Sequence, residues 1–157
     1  MRVGTGRDSH KLAEGRRLVI GGVEIDSPRG AVAHSDGDAL IHAVIDAMLG
    51  AAGLGDIGDL FPDSDPAYKD ADSRDLLRQA NALVRENGYR VGNVDATVLL
   101  ESPKLGPLKQ AMRDNIAADL GLEPERVNVK AKSAEGLGEV GRGEAVAAEA
   151  VVVVEPV

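Results

Sequence analysis

The sequence predicts an α+β fold in which a mixed or antiparallel sheet of four to five strands carries helices on one face. Three observations predict it. The segments follow the order ββαα-β-α-ββ, which sets strands beside one another and leaves helices to cover one side. The chain has 157 residues, enough for one domain to bury a real core, and that domain is expected to span residues 1–157. It is 43% hydrophobic but only 2% aromatic, so the core must be built from Ala, Val, Leu and Ile. Small residues of that kind let helices and sheet approach closely, and 19 glycines point to many tight turns.

Arg2 to Leu12 reads as the first strand, and Arg17 to Ile25 as a second that turns through Gly21-Gly22. Asp26 to Ser35 is loop-like, broken by Pro28 and Gly30. Asp36-Gly37-Asp38 then offers N-cap chemistry for a helix reaching Gly50 or Ala52. Gly53 to Pro66 reads as a long polar loop rich in carboxylates. A second helix starts near Ser73 and stops at Asn87-Gly88, a favourable C-cap. Tyr89 to Glu101 alternates as a strand through Val94, Ala96 and Val98, and Ser102-Pro103-Lys104 breaks it. A third helix covers Leu105 to Leu120 and ends at Gly121. Val127 to Ser133 and Glu144 to Val154 read as the last strands, with a glycine-rich loop from Ala134 to Gly143 between them. Ala145 to Val154 shows almost no polar alternation, so both faces of that strand are expected to be buried. In so small a domain another subunit can cover one of them, which predicts a homo-oligomer.

The formal net charge of −8 argues against binding nucleic acid or an anionic membrane, since both require a basic surface. A small phosphorylated ligand in a local pocket remains compatible. The absence of cysteine excludes disulfides, thiolate metal ligands and a cysteine nucleophile. No apolar run is long enough to span a bilayer, and the N-terminus reads directly as a strand rather than a targeting peptide. A cytoplasmic location is the expectation.

Asp8 and His10 are two apart on the first strand, so both side chains project from one face. The third of the chain's three histidines, His42, lies on a helix that is apolar nearly all round. One carboxylate and two imidazoles form a three-ligand set that suits Zn²⁺ and leaves a position open for substrate. Asp38 and Asp46 flank His42 by one turn on either side, and either can take its second N–H and fix the tautomer. The same residues also admit a plainer reading, in which a surface carboxylate lies near a packed core histidine.

Seven segments, in order along the chain, resemble the 2-C-methyl-D-erythritol 2,4-cyclodiphosphate synthases. They are Asp8-Ser9-His10; Ala33-His34-Ser35-Asp36-Gly37-Asp38 with His42; Gly55-Asp56-Ile57-Gly58; Leu60-Phe61-Pro62-Asp63-Ser64-Asp65; Pro103-Lys104-Leu105; Asn128-Val129-Lys130-Ala131; and Gly141-Arg142-Gly143-Glu144. The resemblance implies a homotrimer whose sheets face a central axis and whose active sites lie between neighbouring subunits. It implies that Asp8, His10 and His42 bind Zn²⁺, and that Glu135 contacts a second cation, Mg²⁺ or Mn²⁺, held through substrate phosphates. The implied substrate is a cytidine diphosphate derivative of methylerythritol 2-phosphate, whose own 2-phosphate attacks the β-phosphorus and expels CMP. Such an attack needs positioning and charge neutralisation rather than a protein nucleophile.

By the same resemblance His34 and Ser133 stabilise the transition state, and Ser35 binds the phosphorylated diol with Asp8, Ser9 and His10. Asp56, Ile57 and Gly58 hold the methylerythritol part beside a loop of Phe61, Pro62, Asp63, Ser64 and Asp65. Leu100, Glu101, Ser102, Pro103, Lys104 and Leu105 form a cytidine pocket read largely through backbone groups. Lys132, Ser133, Ala134 and Glu135 follow the sixth segment, while Glu139 and Arg142 belong near the trimer axis. The chain departs from the family pattern at Lys132, where a hydroxyl residue is usual; at Glu139, where many members carry Phe; and at Ser9, which replaces an apolar residue. Two other readings of the same residues are a metal-assisted phosphohydrolase, in which water attacks, and a zinc-stabilised binding protein without turnover.

Overall fold

The computed structural model describes residues 1–157. Its main sheet has five strands: β1 (Arg2–Glu14), β4 (Arg29–Ala31), β5 (Tyr89–Leu99), β6 (Val127–Lys132) and β7 (Ala145–Pro156), in the order β4-β1-β7-β5-β6. β1 pairs antiparallel with β4 and β7, β7 pairs antiparallel with β5, and β5 pairs parallel with β6. The sheet is therefore mixed, as the element order predicts. β2 (Leu18–Ile20) and β3 (Val23–Ile25) form a separate hairpin turning on Gly21 and Gly22, whose φ values of 59° and 72° suit a two-residue turn.

Three long helices, α1 (Ala39–Ala52), α3 (Ser73–Glu86) and α4 (Lys109–Leu120), pack together and against this sheet, and the core lies between the two layers. α1 is the central one, with twelve of its fourteen residues buried. Asp38 caps it by accepting from the Ile41 N–H at 3.0 Å, and Gly53 ends it in a left-handed turn. The same Asp38 carboxylate takes the N–H groups of Gly21 at 2.9 Å and Gly22 at 2.7 Å, pinning the hairpin turn to the start of α1.

Two glycines decide how near α1 lies to β1. A Cβ on Gly4 would lie 2.0 Å from the Ala47 carbonyl oxygen, and one on Gly6 would lie 2.0 Å from that of Ala43. The helix backbone thus rests directly on the strand. Asp8 and His10 follow Gly4 and Gly6 on the same face, so they emerge beside His42.

Several expectations need correction. The stretch Asp26 to Ser35, read as loop, contains β4; the three residues pair with the end of β1 although the sequence offers no alternation there. The polar loop Gly53 to Pro66 contains α2 (Ile57–Leu60), a single turn closed by a reciprocal capping box between Asp56 and Asp59. The glycine-rich loop contains the one-turn α5 (Gly138–Gly141). Such short turns carry too few residues to show periodicity. β7 is buried on one face within this chain, and the face expected to meet another subunit is partly open. Val146, Ala148, Ala150, Val152 and Val154 are buried, whereas Val151 is 43% exposed and Val3, paired on β1 with Val153, is 61% exposed. No helix is long and apolar enough to cross a membrane.

Candidate active site and metal centre

Asp8, His10 and His42 converge, with one ligand atom from each lying within 4.8 Å of the others. His10 Nε2 is 2.7 Å from Asp8 Oδ2, and His42 Nδ1 is 3.3 Å from the same oxygen. The 2.7 Å separation is short enough for a hydrogen bond, yet the angles are wrong for one. Both Asp8 Oδ2 and His10 Nε2 are buried without a hydrogen-bond partner. Buried polar atoms are rarely left so, and here the orphans are the donor atoms that would point at a shared ion. A carboxylate and two imidazoles with their donor atoms converging fit a divalent metal.

The electrostatics agree. Burial opposes charge on Asp8, but the neighbouring His10 and His42 outweigh it and hold the carboxyl below its usual range. Burial likewise opposes charge on His42, but Asp8, with Asp38 and Asp36 behind, outweighs it and raises the imidazole's pKa. The pocket favours positive charge at the point where the three side chains meet, and a metal ion can supply it.

The partner of His42 differs from the expectation. Asp38 is occupied by its three N–H groups, and Asp46 accepts from the Ile57 N–H at 3.0 Å. His42 Nε2 instead lies 2.8 Å from Ser73 Oγ at the start of α3, and 3.3 Å from Ser35 Oγ. The Ser73 hydroxyl in turn donates to the Asp36 carboxylate, which also accepts the N–H groups of Ser73 at 2.9 Å and Asp38 at 3.1 Å. With its Nε2–H donated to Ser73, His42 presents a bare Nδ1 toward Asp8 and the metal position. Ser73 lies 31 residues from His42, so no local spacing signals it. α3, which carries Ser73, is fixed to α4 by a two-pronged Arg74–Asp119 pair at 2.8 and 2.9 Å.

A cavity of about 350 Å³ opens over the metal position, walled by Asp8, His10, His34, Ser35, His42 and Phe61 among others. Ile57, Gly58 and Asp63 line it too, as do Val32, Tyr68 and Leu76, which sequence reasoning did not single out. Phe61 meets Tyr68 edge-on, with ring centroids 5.2 Å apart. His34 Nε2 is 3.0 Å from the Asp65 carbonyl oxygen and so ties the 61–65 loop over the mouth. Asp56, Pro62, Ser64 and Asp65 are not among the wall residues. The Asp56 side chain accepts from the Asp59 N–H at 2.9 Å, and that of Asp65 from the Ala67 N–H at 2.9 Å.

A second cavity, of about 270 Å³, is walled by Leu100, Lys104, Leu105, Lys132, Ser133 and residues of the turn after them. Three lysines line it in a chain of net charge −8, which makes it a place for an anion. A third hollow, at the far end of β1, is walled by Ser9, His10, Glu14, Arg29, Glu139 and Glu144 among others. Ser9 is absent from the walls of the first cavity, and strand alternation turns it away from Asp8. Arg142 is paired with Glu144 at 3.2 Å on the surface.

The first two cavities have no wall residue in common. They lie at the same level of the sheet, where Ser9, Ala147, Leu99 and Lys132 form one cross-strand row. β1 and β6 are three strands apart, about 14 Å at the usual spacing.

Residues 1–155 match the YgbB family. A 2-C-methyl-D-erythritol 2,4-cyclodiphosphate synthase from Dechloromonas aromatica is 58% identical over 99% of this chain and 98% of its own. Among solved structures, a 2-C-methyl-D-erythritol 2,4-cyclodiphosphate synthase with CDP bound is 44% identical, covering 98% of this chain and 100% of that one, with a TM-score of 0.90. A bifunctional enzyme of Campylobacter jejuni, IspDF, is 48% identical with a TM-score of 0.95; the match covers 99% of this chain and 42% of that longer one. This chain belongs to the YgbB family, that of the 2-C-methyl-D-erythritol 2,4-cyclodiphosphate synthases.

Proposed function

We propose that the protein converts 4-diphosphocytidyl-2-C-methyl-D-erythritol 2-phosphate into 2-C-methyl-D-erythritol 2,4-cyclodiphosphate and CMP. It is thereby a phosphorus–oxygen lyase of non-mevalonate isoprenoid biosynthesis. The observation that carries the reading is the Asp8–His10–His42 cluster opening into a cavity with no activated protein nucleophile. Two hydroxyls approach His42 Nε2 with Asp8 behind the ring, Ser73 at 2.8 Å and Ser35 at 3.3 Å. Ser73 is fully buried with its hydroxyl committed to Asp36, and the His42 Nε2 that donates its proton to Ser73 has no lone pair left to act as a base for Ser35. In this reading, carried over from the family, an oxygen of the substrate's 2-phosphate forms the new bond to the β-phosphorus. The bond from that phosphorus to the bridging oxygen breaks, and CMP leaves with the oxygen and the electron pair.

Asp8, His10 and His42 would hold Zn²⁺, which supplies Lewis-acid polarisation of a phosphate oxygen. Glu135 offers one exposed carboxylate, which suits Mg²⁺ or Mn²⁺ taking its remaining ligands from phosphates and water. His34 and Ser35 precede α1 and line the first cavity, where they receive the phosphorylated diol beside Ile57, Gly58 and the 61–65 loop. Asp56 lies outside that cavity and acts through the backbone of α2, which its side chain caps. Leu100, Lys104, Leu105 and Lys132 line the cavity that receives the nucleotide, Glu101, Ser102 and Pro103 complete that stretch outside its walls, and Ser133 donates to the phosphoryl group in flight.

The working unit in this reading is a homotrimer. One chain keeps its metal cavity and its nucleotide cavity on strands about 14 Å apart. A neighbour related by a three-fold axis brings its own nucleotide cavity to the first chain's metal. The apolar face that leaves Val3 and Val151 exposed supports burial against such neighbours, with Glu139 and Arg142 near the axis.

The test is product identity. Incubation with the substrate and Mg²⁺ is expected to release CMP and a cyclic diphosphate in equal amounts. Release of inorganic phosphate or an open-chain diphosphate would favour a hydrolase, and no turnover would leave a binding protein.

A further inference from the structure

Resting on that reading, we infer that Glu101 is a positioning residue that clamps the Ser133–Gly136 loop and thereby aims Ser133 and Glu135. Beyond β5 and β6 the two chains stay joined by one more bond, from the Leu100 N–H to the Lys132 carbonyl at 3.0 Å, and then separate around the 270 Å³ cavity. At the rim Glu101 rejoins them. Its Oε2 accepts the Ala134 N–H at 2.9 Å, and its Oε1 accepts the Gly136 N–H at 3.1 Å. Between these two, the Glu135 N–H donates to Ser133 Oγ at 3.1 Å.

Three successive amides thus end on side-chain oxygens, two of them on one carboxylate. The arrangement has a further consequence at Glu135, whose φ is 52°, followed by Gly136 at 76°. A residue with a Cβ adopts that left-handed conformation only where its surroundings impose it. Glu101 holds the residues on both sides of it. Ser133 Oγ, having accepted the Glu135 N–H, keeps its own proton free to donate into the cavity it lines. Glu101 has no Lys or Arg partner within ion-pair distance, so the loop amides are what its charge serves. The fold accordingly links the nucleotide wall to the loop bearing Ser133 and Glu135 through a single side chain.

The test compares wild type with Glu101→Ala and Glu101→Gln, by steady-state kinetics, zinc content and amide hydrogen exchange of the 133–137 segment. Gln keeps the shape and one acceptor but turns an NH₂ group toward the other amide. Both variants are expected to keep wild-type zinc, to exchange faster in 133–137, and to lose kcat by on the order of tenfold or more with a smaller change in KM, Gln less than Ala. If the wild type releases no CMP, the proposed reaction is overturned, and the exchange result alone then judges the clamp. Wild-type turnover combined with undiminished kcat in both variants, or unchanged exchange in 133–137, overturns the positioning role.

Discussion

His42 is steered by a residue outside its own helix. Its Nε2 meets Ser73 at 2.8 Å, and Ser73 is oriented by Asp36, so two side chains from different elements decide which nitrogen faces the metal position. Removing the hydroxyl in Ser73→Ala leaves a buried N–H with only the 3.3 Å contact to Ser35. Zinc affinity is expected to fall by roughly 10- to 100-fold and to be recovered in large part by Ser73→Thr, as read by competition with a chelator. Equal affinity in wild type and Ser73→Ala would show that the contact is ornamental. Asp38 carries a different prediction. Burial pushes its carboxyl up to about 6, against the three N–H groups that favour its charge. The native state then binds a proton that the unfolded chain has released, between the ordinary 3.8 and about 6. The contribution of Asp38 to stability is present at low pH and lost as pH rises through that window. The loss is about 3 kcal/mol, from a shift of about two units. Urea unfolding at pH 4 and pH 7 should show a smaller pH difference for Asp38→Asn than for wild type, and an identical difference would refute the assignment. At this scale the convergence of Asp8, His10 and His42 was legible, because i and i+2 on a strand share a face. Ser73 was not, because its meeting with His42 depends on how α3 packs.

At the scale of elements, the close approach of α1 to β1 assembles the site. Gly4 and Gly6 clear the path for the helix backbone, and the next two residues on that face belong to the Asp8–His10–His42 cluster that could hold a metal. Gly6→Ala places a methyl group where the Ala43 carbonyl oxygen lies, only 2.0 Å from the Cβ position. The helix must move away, with an expected loss of about 1–3 kcal/mol or more and a matching loss of bound zinc. Thermal unfolding and elemental analysis of the same preparation check both, and a variant with full zinc content would contradict the spacing role. β1, β5, β6, β7 and the three long helices were legible because each extends through several periods of its pattern, and the β2–β3 hairpin was legible through its Gly21-Gly22 turn. The short β4, α2 and α5 were not, since one turn or three paired residues are stabilised by tertiary contacts and caps such as Asp56–Asp59. The glycine-spaced start of β1 could be read as a strand, but the helix it admits could not be identified from it.

At the scale of the whole molecule, the apolar run of β7 reads as a strand with both faces to be covered, one of them by another subunit. The second face of β7 is partly open in one chain, and the proposed trimer would cover it. Mixing His42→Ala with Ser133→Ala protein tests the shared site. Each variant alone should be nearly inactive, while trimers reassembled from both should regain a sizeable fraction of activity, because some sites pair an intact metal half with an intact nucleotide half. No recovery in verified mixed trimers would place both halves within one chain. In the proposed reaction the substrate's own phosphate, assisted by the bound metal, is the attacking group. The decisive measurement is phosphorus NMR with mass spectrometry of the reaction run in ¹⁸O-labelled water, before and after zinc is chelated and then restored. Coupled signals of a cyclic diphosphate, with no ¹⁸O in either product, with turnover lost on chelation and returning with zinc, is the predicted result. Label in the CMP or in an opened diphosphate, or turnover indifferent to zinc, would contradict it.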